Sequence, residues 1–83
     1  MGYNVVLHKK AQRFLDKLGN SIKKQIIKGL EKLKKNPSFG KPLSGNLFGL
    51  RSLREGKFRI LYKVEDDKLL IFVLEVGHRG RVY

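Results

Sequence analysis

Five of the six arginines in this 83-residue chain lie after residue 50, as Arg51, Arg54, Arg59, Arg79 and Arg81, while ten of the thirteen lysines lie at or before Lys41. The two cations are not equivalent: arginine presents a planar fork that grips phosphate through two hydrogen bonds, and lysine is a mobile, strongly hydrated point charge. The C-terminal half therefore reads as a gripping surface and the N-terminal half as an attracting one. Among the late arginines stand Lys57, His78 and Tyr83. With no cysteine and few carboxylates nearby, this set suits a phosphodiester better than a divalent metal. Cleaving RNA without metal needs a group that accepts the 2′-hydroxyl proton, charge that stabilises the phosphorane, and a donor for the departing 5′-oxygen. Arginines supply the charge; His78, near-neutral when unperturbed, or Tyr83 offers a proton step. Aromatic rings can also stack on a base.

Each candidate has a plainer explanation. A row of lysines on a helix is often only a solvated face. Arg54 and Lys57 serve equally as turn solubilisers, Arg59 as a salt-bridge partner of Glu55 or Glu75, and Tyr83 as a chain end. His8 reads as a bystander and Tyr62, in phase with Phe58 and Ile60, as core. Even so, nineteen basic against seven acidic residues gives a net charge of +12. That density costs self-repulsion and points to an anionic partner.

The elements that position these groups follow from spacing. Residues 1–83 form one domain on length alone. Tyr3–Leu7 suits a short edge strand. Ala11, Phe14, Leu15 and Leu18 fall at i, i+3, i+4 and i+7, the stripe of an amphipathic helix. Gly19 is expected to close it in the left-handed conformation, with Asn20 or Ser21 capping a second helix. The stripe of that helix is Ile22, Ile26, Ile27, Leu30 and Leu33, and Pro37 ends it after Asn36. Residues 36–46 hold both prolines, two glycines and two serines and read as a loop, with Phe39 and Leu43 expected to pin it.

Leu50–Arg54 predicts a strand, Glu55-Gly56-Lys57 a turn, and the alternation of Phe58, Ile60, Tyr62 and Val64 a second strand. After a turn at Asp66-Asp67, the apolar run Leu69–Leu74 predicts a strand buried on both faces in the middle of the sheet, broken by Gly77. The fold expected is α+β: a strand, a basic helical hairpin, then a three-stranded antiparallel meander (β-α-α-β-β-β), with the helices on one face of a mostly antiparallel sheet. In such a meander the end of the Arg54 strand, the start of the Arg59 strand and the exit after Gly77 lie at one end of the sheet. The arginines would then ring one concave patch. No apolar run is long enough to span a bilayer, and Met1–Lys10 lacks the apolar block of a signal peptide, so a cytoplasmic location without membrane contact is expected.

The order Leu53-Arg54-x-Gly56-x-Phe58-Arg59-Ile-Leu-Tyr62, then a buried strand and Val76-Gly77-His78-Arg79-x-x-Val82-Tyr83, resembles the RelE/ParE toxin superfamily, closest to its RelE branch. The resemblance covers nearly the whole chain. It implies a type II toxin that inhibits translation as a metal-independent endoribonuclease, cutting mRNA in the ribosomal A site and held by a RelB-like antitoxin, with no small-molecule cofactor. By the same resemblance Arg59 contacts the scissile phosphate, Arg79 stabilises the transition state, and Tyr83 stacks on or helps activate the substrate. The strand lysines of the best-known RelE enzymes are matched here by Leu50 and Ser52, so the general base is left open among Arg51, Arg54, Lys57 and His78, with Arg81 in support. Two other functions compete: a ParE-like inhibitor of DNA gyrase, and a catalytically weak relative that binds RNA or antitoxin only.

Overall fold

The computed structural model describes residues 2–78. In chain order the elements are β1 (Asn4–Leu7), α1 (Lys9–Asp16), α2 (Asn20–Lys35), β2 (Lys41–Pro42), β3 (Arg51–Glu55), β4 (Phe58–Glu65) and β5 (Leu70–His78), with 3₁₀ turns at Pro37–Phe39, Gly45–Leu47 and Asp66–Lys68. The five strands make one mixed sheet in the order β1-β5-β4-β3-β2. The meander β3-β4-β5 is antiparallel, as its alternation predicts. Two features exceed the expected β-α-α-β-β-β pattern. β1 joins β5 in parallel, Asn4 opposite Leu70 through Leu7 opposite Val73, and β2 adds a two-residue edge, Lys41 opposite Ser52.

The helices bury the stripes their spacing dictates, with adjustments at the rims. Ala11 and Leu15 of α1 are buried and Phe14 and Leu18 pack beside them. His8 is not idle: its Nδ1 accepts the Lys10 N–H at 3.3 Å and caps α1. On α2 the buried set is Ile26, Gly29, Leu30 and Leu33, whereas Ile22 and Ile27 remain exposed at the edges of the stripe. Gly29 faces the sheet, where a Cβ would lie 3.3 Å from Ile60 Cδ1, so the helix sits tightly against β4 at this point. The expected left-handed closure at Gly19 is absent. That residue is extended (φ −69°) and precedes α2, with no side-chain cap. The end of α1 instead tightens through Lys17 N–H to Phe14 O and Leu18 N–H to Leu15 O, bonds that satisfy the last carbonyls without a left-handed residue.

These stripes close on Leu53, Phe58, Ile60, Tyr62, Ile71, Val73 and Val76 from the sheet, forming one core. Burying each large apolar side chain contributes about 1.5–3 kcal/mol. β5 runs farther than expected, through Gly77 to His78, and lies beside the central strand β4 rather than at the centre itself. A bulge makes the extension possible: Leu61 pairs with Glu75 but Tyr62 with Val73, leaving Leu74 as an extra residue. One inserted residue exchanges the faces of everything after it. Ile71 and Val73 before the bulge and Val76 after it therefore all point into the core.

Candidate active site

The site is built by the hairpin β3-β4. Glu55 opposes Phe58 across a two-residue turn, and Gly56 occupies its first position with φ +61°, the requirement of a type II′ hairpin. A Cβ on Gly56 would also collide with the side-chain amide of Gln25 on α2. That turn fixes Arg54 directly opposite Arg59. Since Leu53, Phe58 and Ile60 face the helices, strand alternation sends Arg54 and Arg59 to the other face. Side chains paired this way start about 4.5–5.5 Å apart, and like charges there repel.

Arg54 and Arg59 share a cavity of about 290 Å³ with Lys41, Leu43 and Ser52. Among the described residues its lining contains no carboxylate. A larger groove of about 420 Å³ lies between α1 and the end of β5, lined by Lys10, Arg13, Phe14 and Lys17 on one side and Glu75 to His78 on the other. In that groove Glu75 already binds Lys10 at 3.3 Å, which makes it the less suitable place for an anion. The larger space is not the more cationic one.

The remaining candidates separate. Arg51, three residues before Arg54, lies opposite Tyr62, and its Nη1 donates to the carbonyls of Gly40 (2.8 Å) and Ser38 (3.4 Å). It holds the loop before β2 and is not in the Arg54–Arg59 cavity. Phe39, expected to pin that loop, is 58% exposed. The anchor is Tyr62, fully buried, whose hydroxyl donates to Pro37 O at 2.6 Å and accepts the Gly40 N–H at 2.9 Å. Burial pushes the Tyr62 phenol above its ordinary value of 10, against smaller opposing effects from the Gly40 N–H and the Arg51 charge. Lys57 is exposed in the hairpin turn. His78 pairs with Phe58 and packs on its ring at 4.9 Å with Phe14 edge-on, so it faces the helices and not the arginine pair. Leu50 is half-buried and Ser52 buried. Arg79, Arg81 and Tyr83 lie outside the described residues. Gly77, two residues before Arg79, stands directly opposite Arg59.

Lys41 was not among the residues singled out by type and spacing. A lysine in a loop between two prolines carries no periodic signal, and only its pairing with Ser52 brings it beside the arginines.

This fold is shared by chains of solved toxin–antitoxin complexes. A chain of the RelBE2 toxin–antitoxin complex from Mycobacterium tuberculosis superposes with a TM-score of 0.86 at 33% identity, over 95% of this chain and 100% of that one. For the intact Escherichia coli RelBE complex the TM-score is 0.78 at 26% identity, over 95% and 99%. In sequence, the toxin RelG of M. tuberculosis is 34% identical over 85 residues, spanning 100% of this chain and 98% of its own length. The mRNA interferase toxin RelE of E. coli K12 is 30% identical over 86 residues, spanning 98% and 87%. Residues 5–83 match the family model of the ParE toxin of the type II toxin–antitoxin system parDE. The chain belongs to this family, the RelE/ParE toxins of type II toxin–antitoxin systems.

Proposed function

We propose that this toxin is an endoribonuclease that cuts mRNA on the ribosome without a metal ion and is held inactive by a RelB-like antitoxin. The observation that supports it most is the Arg54–Arg59 pair, two arginines directly opposite each other on adjacent strands and lining one cavity that, among the described residues, has no carboxylate. In the reaction the 2′-oxygen bonds to phosphorus, the P–O5′ bond breaks, and the products carry a 2′,3′-cyclic phosphate and a 5′-hydroxyl. Arg59 grips the scissile phosphate and Arg54 adds charge beside it. Arg79 stabilises the phosphorane and Tyr83 stacks on the nucleotide or assists the proton step, with Arg81 in support. His78, packed against Phe58, contributes to the site only by fixing the end of β5.

Programmed ribosomes and purified toxin test this. Transcripts cut within the A-site codon by the parent, and intact with Arg59→Ala or Arg79→Ala, support the reading. Equal cleavage by either variant refutes the assignment. A gyrase-directed toxin is the second reading, favoured by the ParE family model; it predicts DNA-damage signalling with translation intact. The antitoxin is expected to be acidic where it meets this +12 chain, so its binding should weaken steeply with salt.

A further inference from the structure

The Arg54–Arg59 cavity has a third cation. Lys41 lines it from β2, in register with Ser52 of β3. Adjacent strands lie about 4.8 Å apart and a two-residue step along a strand is about 6.8 Å, so Lys41 and Arg54 stand on the diagonal, within reach of long side chains. Ser52 is small, only 8% exposed, and lines the same cavity as the lysine. Among the described residues, ion pairs occupy Lys10, Lys32, Lys34 and Lys63, and Lys41 is not one of them.

A two-residue edge strand would ordinarily place such a lysine loosely. Here the residue before it is clamped at both polar atoms. The Gly40 N–H donates to Tyr62 Oη and the Gly40 carbonyl accepts from Arg51 Nη1. A Cβ at Gly40 would strike the Tyr62 hydroxyl, so the approach is available to glycine alone. Tyr62 is on β4, the strand that carries Arg59. One rigid strand thus sets both the arginine and, through Gly40, the start of β2.

We propose that Lys41 is a phosphate-contacting residue of this site, completing with Arg54 and Arg59 a three-strand cradle for the backbone of single-stranded RNA. This rests on the nuclease reading and deepens it. Lys41 acts as an ammonium charge on the phosphate at or beside the scissile bond and takes no part in proton transfer.

The test moves the cation across the strand pair. The probe is a short RNA oligonucleotide made uncleavable by 2′-deoxy substitution, titrated against the toxin at several salt concentrations. Lys41→Ala should weaken binding about tenfold and reduce the salt slope by about 0.7, the loss of one contact to a single strand. Adding Ser52→Lys to Lys41→Ala should restore both, because position 52 lies directly opposite. Unfolding midpoints of the variants confirm an intact fold. Unchanged affinity and slope in Lys41→Ala overturn the proposal, as does a loss that neither Ser52→Lys nor Lys41→Arg restores. Cleavage on programmed ribosomes should fall and recover in parallel. Oligonucleotide binding that depends on Lys41 in a parent that cuts no mRNA would remove the nuclease reading and leave the cradle standing.

Discussion

Replacing Tyr62 by phenylalanine isolates one oxygen atom. The ring stays, so no cavity opens in the core, but the Pro37 carbonyl loses its donor and the buried Gly40 N–H its acceptor. A buried group left without a partner costs about 1–3 kcal/mol, and a net hydrogen bond is worth about 0.5–1.5 kcal/mol. Pro37 is only half-buried and can recover water, whereas Gly40 is buried and cannot. The expected loss is therefore about 2–3 kcal/mol, dominated by the glycine. A domain of this length has about 4–12 kcal/mol in total. Urea unfolding at pH 7 should show the lower midpoint with an unchanged slope, and the melting temperature should drop on the order of 10–20 °C. A destabilisation under about 0.5 kcal/mol would refute the view that this hydroxyl anchors the chain before β2. Because Gly40 precedes Lys41, RNA binding should also suffer at temperatures where the variant remains folded.

Alkaline pH gives a second handle on the same residue. A phenol whose folded pKa is raised contributes stability that is complete below about pH 10 and is lost as pH climbs through the folded value, since above pH 10 the unfolded chain releases the proton first. Unfolding followed between pH 8 and 11 should show this fall in the parent and a flatter profile in Tyr62→Phe. Gly56→Ala should cost about 1 kcal/mol, since it forces a positive φ on alanine; a midpoint equal to the parent's would show that the hairpin tolerates another turn.

The parts of the fold legible in the sequence are those governed by period. The stripe of α1, the buried face of α2 and the alternation of β4 announce themselves because each buries a regular set of side chains. What was illegible is set by partners distant in sequence. Two residues, Lys41 and Pro42, have no period to read, and they become a strand only because Arg51 and Ser52 lie alongside. The parallel pairing of β1 with β5 is likewise invisible to local patterns. Gly77 resembles a strand breaker, yet the bulge at Leu74 carries the strand through it and turns the exposed His78 to the helix side of the sheet. On the site, the opposition of Arg54 and Arg59 was within reach of the sequence once the hairpin turn was placed. The diversion of Arg51 to the Gly40 carbonyl was not, because nothing in its neighbours records where residues 38–40 pass.

The pairing of the first strand with the last governs when this molecule can become itself. Val5, Leu15 and Ile60 pack into a core whose remaining wall is Ile71, Val73 and Val76. A growing chain that has emitted both helices and the β3-β4 hairpin still lacks that wall, so the native core closes only after the final stretch has been made. Until β5 is emitted, the arginine-bearing hairpin has no finished sheet behind it. The strand order thus makes closure of this core wait on a segment emitted after both helices and the arginine-bearing hairpin.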